Sequence, residues 1–207
     1  AELYNGTSWT STGSLNNARM SIGSAGTQTA ALGFGGSSSA FPITPSSNSE
    51  SFNGTSWTAT PSLNTSRAQL MGGGTQTAAL AFGGAIPPAS TTTGATELYN
   101  GTSWTSNPTG LNTARRLLGG VGTQTAGLAF GGNGTPPGTT STAATELWNG
   151  STWTSNPNSL ATARNSLGSA GTQTAGLGFA GYGPGNFTAT EEWTGPGSPV
   201  TQTITTS

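Results

Sequence analysis

The chain has no cysteine, no histidine, no lysine and no aspartate. Without cysteine there is neither a disulfide framework nor a thiolate metal site, and the compartment leaves no redox mark on the sequence. Without histidine or lysine, a serine or threonine nucleophile has no neighbouring base to activate it. Charge is scarce as well: Arg19, Arg67, Arg115, Arg116 and Arg164 stand against Glu2, Glu50, Glu97, Glu146, Glu191 and Glu192, for a net charge of -1. No basic cluster is present that could neutralise a row of phosphates, so no nucleic-acid partner is expected. The longest apolar runs are too short for a membrane-spanning helix, and no membrane insertion is expected. Ala1 begins no signal-peptide pattern and opens in mid-repeat, as expected of a fragment or a processed product.

What is present is glycine, serine, threonine and asparagine in quantity, with 31% apolar residues. Without periodicity such a mixture describes a disordered tract. Periodicity is strong here. The stretch Ala25-Gly26-Thr27-Gln28-Thr29-Ala30-Ala31-Leu32-Gly33-Phe34-Gly35-Gly36 returns at Gly74 to Gly84, Gly122 to Gly132 and Gly171 to Gly181. Each copy holds a Gly-Thr-Gln-Thr turn and a short run of small apolar residues ending in Phe. A Gly pair closes three of them, and the last ends Phe179-Ala180-Gly181.

A second hairpin alternates with the first. Glu2-Leu3-Tyr4-Asn5-Gly6-Thr7-Ser8-Trp9-Thr10 returns at Glu50 to Thr58, Glu97 to Thr105 and Glu146 to Thr154, always with Glu seven residues before Trp. Asn-Gly between two β-favouring runs predicts a type I′ turn, which needs positive φ at both central residues. The Asn-Gly-Thr and Asn-Gly-Ser triplets also match the N-glycosylation pattern, but hairpin geometry already accounts for them. A weaker fifth copy, Thr190-Glu191-Glu192-Trp193-Thr194-Gly195, keeps Glu and an aromatic and loses the Asn-Gly turn. Between the two hairpins of each repeat, a polar connector carries Leu four residues before Arg: Leu15 and Arg19, Leu63 and Arg67, Leu111 and Arg115, Leu160 and Arg164. Its Ser, Thr, Asn, Gly and Pro neighbours favour a loop that tucks one Leu under the sheet.

Each unit therefore reads as four short strands, and the Glu-to-Glu periods are 48, 47, 49 and 45 residues. That combination is the signature of propeller blades. Residues 1–207 are read as a single all-β domain with repeats starting near positions 2, 50, 97 and 146 and a weak half-repeat over 188–207. Four blades are favoured, and the surplus half-blade leaves five or an open arrangement possible. Residues 1–11 could close the ring and leave 188–207 as an arm, or the C-terminal segment could complete its own blade and free the N-terminal hairpin for a neighbour.

Arg at the start of an inner strand, a Gly pair closing the second strand, and Tyr followed shortly by Trp on the outer hairpin resemble the Kelch repeat. The Gly-Thr-Gln-Thr-Ala wording and the closing Ala189-Thr190-Glu191-Glu192-Trp193-Thr194-Gly195 resemble the Kelch-like repeat proteins of tailed, especially marine, phage virions. The resemblance spans nearly the whole chain. It implies a virion or extracellular location, and partners among other virion subunits, further copies of the chain, or a host surface glycan. Some Kelch propellers are copper oxidases whose site needs His and a Cys-Tyr cofactor; this chain has neither His nor Cys, so no cofactor is expected. Acid-base chemistry would fall to six Glu and three Tyr, and the adjacent Glu191 and Glu192 point to opposite faces of a strand. The expectation is a protein that is not an enzyme.

Two sets of candidate residues follow. Glu2, Glu50, Glu97 and Glu146, with Arg19, Arg67, Arg115 and Arg164, recur once per repeat and form a ring of charge; Glu191 holds the same position in the fifth copy. Pairing of each Arg with a Glu is the favoured reading, because a buried charge must be paired. The loops between the second and third strands differ from repeat to repeat, and variable loops on a repeated scaffold are where specificity is placed. Phe41, Tyr182 and Phe187 lie there, outside the repeat pattern, as a candidate platform for a sugar in a receptor-binding tail or fibre module. The alternative is an assembly or decoration protein that joins its neighbours by strand addition.

Overall fold

The computed structural model describes residues 1–88, 91–134 and 140–195. The outermost part of the expected 188–207 arm lies outside the described residues. Strand β1 (Glu2–Tyr4) pairs with β2 (Trp9–Ser11) in a lone hairpin. Blade 1 follows, with β3 (Gly23–Thr27), β4 (Ala30–Phe34), β5 (Ser49–Phe52) and β6 (Trp57–Thr60) in meander order. Blade 2 consists of β7 (Met71–Gly74), β8 (Ala79–Phe82), β11 (Thr96–Tyr99) and β12 (Trp104–Asn107). Its second-to-third loop carries the small pair β9 (Ala85–Ile86) and β10 (Thr91–Thr92). Blade 3 has β13 (Gly119–Gly122), β14 (Gly127–Phe130), β15 (Thr145–Trp148) and β16 (Trp153–Asn156). Blade 4 has three strands, β17 (Gly168–Gly171), β18 (Gly176–Phe179) and β19 (Thr190–Trp193). All pairings are antiparallel, and the sheets are arranged as a four-bladed β-propeller.

The first strand of each blade lies innermost, and its composition follows from that. β3 packs on β7, β7 on β13 and β13 on β17. A Cβ added at Gly72 would stand 2.6 Å from the Ser24 carbonyl, and one at Gly73 would stand 2.8 Å from that of Gly122. Backbone meets backbone at the axis, so only the smallest residues fit. Large side chains fill the spaces further out: Leu32, Phe34, Ala79 and Trp104 belong to one core cluster, and Leu80, Phe82, Trp148 and Trp153 to the next.

The Asn-Gly turns correct the type I′ expectation. Gly6, Gly54, Gly101 and Gly150 have positive φ and the preceding asparagines do not. The loop spans four residues between the Tyr4–Trp9 pair and is closed by Asn5 N–H to Ser8 O at 3.2 Å. Asn5 Oδ1 accepts from the N–H groups of Thr7 and Ser8 at 3.0 and 2.9 Å, and Asn53, Asn100 and Asn149 repeat the arrangement. Asparagine serves here as a side-chain acceptor that folds the turn, not as a residue that tolerates left-handed backbone.

Candidate functional site

Each blade contains one buried ion pair. Arg19 Nη2 lies 2.9 Å from Glu50 Oε1, Arg67 from Glu97 and Arg115 from Glu146 at the same distance, and Arg164 pairs with Glu191. The other terminal nitrogen of each guanidinium donates to two carbonyls: Gly35 and Asn48, Gly83 and Ala95, Gly131 and Ala144, or Ala180 and Ala189. The second carboxylate oxygen accepts a backbone N–H of the incoming connector, from Asn16, Asn64, Asn112 or Ala161. The unit is a clamp. It fastens the connector, the close of the second strand and the third strand of one blade at a single point. The Arg side chains of blades 2 to 4 and the Glu side chains of blades 1 to 3 are almost fully buried, so they line no open channel. Glu2 is the exception: it is exposed, and no Arg pairs with it among the described residues.

Burial pushes the guanidinium groups of Arg67 and Arg115 down from their ordinary value, and the facing Glu97 and Glu146 carboxylates oppose that. For Glu50, burial pushes upward, but the N–H and amide of Asn16 and the Arg19 guanidinium outweigh it and hold the carboxyl below its ordinary value. Such groups are already committed to one another. Among the described residues, no cluster of three or more His, Cys, Asp or Glu side chains could hold a metal ion.

Two devices join blade to blade. Gln76 Nε2 donates to Ala31 O and Phe52 O of the preceding blade at 3.0 and 2.6 Å. Gln124 does the same toward Ala79 and Tyr99, and Gln173 toward Gly127 and Trp148. Sequence reasoning treats this glutamine as part of a turn. Its recurrence in every copy of Gly-Thr-Gln-Thr is the signal that it does more. The second device is the fourth-strand tryptophan, which lies on the preceding blade's phenylalanine: Trp104 on Phe34 and Trp153 on Phe82, each with ring centroids 4.9 Å apart. Trp153 Nε1 also donates to Thr96 Oγ1 across the junction at 2.9 Å.

Both devices run out at the ends of the series. Gln28 reaches Tyr4 O at 2.5 Å, so the β1–β2 hairpin occupies the place of third and fourth strands of a blade preceding blade 1. Among the described residues the hairpin forms a two-stranded sheet by itself, and Trp9 is 67% exposed and Tyr4 45%. At the other end, blade 4 has three strands among the described residues, and Leu177 and Phe179 are exposed where their counterparts Leu80 and Phe82 are buried. The inner backbone tells the same story. Gln69 N–H donates to Ser21 O, Leu117 N–H to Gln69 O and Ser166 N–H to Leu117 O. Among the described residues, no bond from Ser21 N–H to Ser166 O completes the circle.

The three loop aromatics are differently placed. Phe41 is 92% exposed and Tyr182 56%, whereas Phe187 is half-buried with its ring 5.6 Å from the Arg164 guanidinium carbon. A cleft of about 510 Å³ beside Arg19 is lined by polar residues including Asn17, Ser38, Thr44 and Ser47. None of the three aromatics lines it. No protein-family model matches the sequence, and no curated protein matches it.

Proposed function

We propose that this chain is a non-enzymatic assembly module whose unfinished terminal blades are completed by neighbouring subunits. The observation that carries this reading is a two-stranded outer hairpin at one end and, among the described residues, a three-stranded blade at the other. Both ends expose aromatic side chains, Trp9 and Phe179, whose counterparts Trp104, Trp153, Phe34 and Phe82 are buried. Exposed strand edges flanked by apolar surface are templates for pairing with another chain. The setting we assign is a tailed-phage virion, on the Kelch-like wording of the Gly-Thr-Gln-Thr-Ala copies and of residues 189–195. In that setting the chain works outside the host cell as a structural subunit.

A second reading, a receptor-binding tail or fibre module that holds a host glycan, draws support from the exposure of Phe41 and Tyr182 on the variable loops. An exposed ring among Ser, Thr and Asn is suited to stacking on a sugar. The two readings use different surfaces. Sedimentation velocity over a concentration series separates them: the assembly reading expects species larger than 20.4 kDa that grow with concentration. A single 20.4 kDa species at every concentration would remove it and leave the loop face as the surface to pursue by glycan binding.

A further inference from the structure

Glycine occupies most of the left-handed positions in this chain, with one recurrent exception. Of the five non-glycine residues with positive φ among the described residues, four hold the same repeat position, the second after the clamp arginine. They are Ser21, Gln69, Leu117 and Ser166, with φ of 55°, 57°, 53° and 53°. The backbone conformation has a structural cause. These residues form the innermost series of bonds between blades, Gln69 N–H to Ser21 O, Leu117 N–H to Gln69 O and Ser166 N–H to Leu117 O. Main chain alone makes those bonds, and glycine would make them without the crowding that an L side chain suffers at positive φ. A side chain is nevertheless kept in all four copies, and its identity changes from blade to blade. Strain retained at one position of every repeat points to a use for the side chains there.

All four residues line one cavity of about 230 Å³, at the start of the innermost strands. Leu70, Leu118 and Leu167, the next residue in three of the copies, line it too and are buried, whereas Ser21 and Ser166 are exposed and Gln69 is half-buried. The cavity therefore has an aliphatic base and a mouth that carries hydroxyl groups. Gln69 Oε1 is shut off from water and accepts no hydrogen bond from the described residues. Leaving a buried acceptor without a donor is costly, so this atom calls for one. No charged residue lines the cavity. Its mouth belongs to the variable-loop face, because the residue before each strained one is bridged to the start of a variable loop: Met20 to Ser37, Ala68 to Ala85, Arg116 to Asn133 and Asn165 to Tyr182.

We infer that this axial cavity seats one neutral sugar residue, the end of a surface glycan, with its C–H face on Leu70, Leu118 and Leu167 and its hydroxyls on Gln69, Ser21 and Ser166. The inference rests on the receptor-binding reading and gives it a seat apart from the loop aromatics. Size and charge both select the ligand. Pockets for drug-sized molecules hold about 300–1,000 Å³, so this smaller one suits a single ring. A phosphate, carboxylate or amine would lose its hydration there and gain no counter-ion. A neutral sugar brings an apolar face for the base and hydroxyl donors for Gln69 Oε1. The rest of the glycan then runs outward over loops that differ from blade to blade, where specificity is placed.

The test uses the full chain with isotope-labelled Leu and Met methyl groups, titrated with the methyl glycosides of glucose, galactose, mannose, fucose and rhamnose. N-acetylneuraminic acid is the charged control. The expected result is saturable shifts at Leu70, Leu118, Leu167 and Met71 with at least one neutral sugar, and none with the charged one. Ser21→Gly/Gln69→Gly/Ser166→Gly abolishes the shifts and holds the melting midpoint, since glycine relieves the left-handed backbone. Gln69→Met keeps the side-chain volume and weakens binding by roughly five- to tenfold, the loss of one hydrogen bond. A midpoint that falls in the glycine variant, with Gln69→Met binding as tightly as the native chain, would assign these side chains to packing and overturn the inference. Shifts with the charged sugar equal to those with a neutral one would also overturn it. No shift at the cavity, with the native chain still retained on an array of bacterial cell-surface glycans, would overturn the inference and spare the receptor-binding reading. Neither shift nor retention would remove both.

Discussion

Replacing Arg67 by Met lowers the folding stability by about 3–5 kcal/mol, the range for removing one partner of a buried pair. Arg67 is fully buried. Its loss withdraws donors from Gly83 O, Ala95 O and Glu97 Oε1, all inside a blade that has complete blades on both sides. Glu97 keeps the Asn64 N–H but remains a buried carboxylate without its cation. For a chain of this size each kcal/mol moves the midpoint by roughly 2–4 °C, so thermal unfolding shifts down by roughly 10 °C. Adding Glu97→Leu to Arg67→Met recovers a large part of the loss, since an apolar pair of similar volume costs little where an unpaired charge costs much. A midpoint that stays in place on Arg67→Met would mean that the clamp does not bear on stability. A double variant no better than the single would locate the cost in lost packing instead of stranded charge.

Trp153→Ala costs about 3–5 kcal/mol, whereas Trp9→Ala changes the stability of the dilute monomer by less than about 0.5 kcal/mol. The two residues hold the same repeat position. Trp153 is buried between Phe82 and Trp148 with its N–H on Thr96, and its removal opens a cavity at the junction of blades 2 and 3. Trp9 touches Tyr4 and is otherwise in water. Chemical denaturation of the two variants at low concentration checks the contrast. Equal losses would contradict the open ends, because they would require a blade lying against Trp9.

The blade pattern is legible in the sequence because every repeat carries the same local signals. Glu, the Arg before the inner strand and the first glycine of the pair all have partners inside one blade. The clamp geometry also explains the Gly pair: the first glycine is left-handed, with φ of 64° at Gly35 and 67° at Gly83, and aims its carbonyl at the arginine of its own blade. The second donates its N–H to the next blade, Gly36 to Arg67 O and Gly84 to Arg115 O. Less legible were contacts whose partner lies in another blade. Gln76 looks like a turn residue until the carbonyls of Ala31 and Phe52 are placed beside it. Asn-Gly signals two different turns, and a four-residue loop lets the asparagine side chain do what left-handed backbone does in a two-residue one. Which end completes the fourth blade was open in the sequence, since Glu2 and Glu191 occupy equivalent positions. In the structure β19 sits on β18 and Glu191 holds Arg164, so Glu2 is the carboxylate left over.

Amide hydrogen exchange on the dilute monomer tests the central claim, that the outermost described strands β1–β2 and β19 are open edges, most directly. Local openings of an unpartnered edge cost far less than global unfolding, and exchange reads that difference strand by strand. The account predicts that β8 and β14 exchange only through global unfolding, while Trp9 to Ser11 and Thr190 to Trp193 exchange orders of magnitude faster and slow down as the protein is concentrated. Terminal strands as protected as β8 and β14 in the dilute monomer would contradict it.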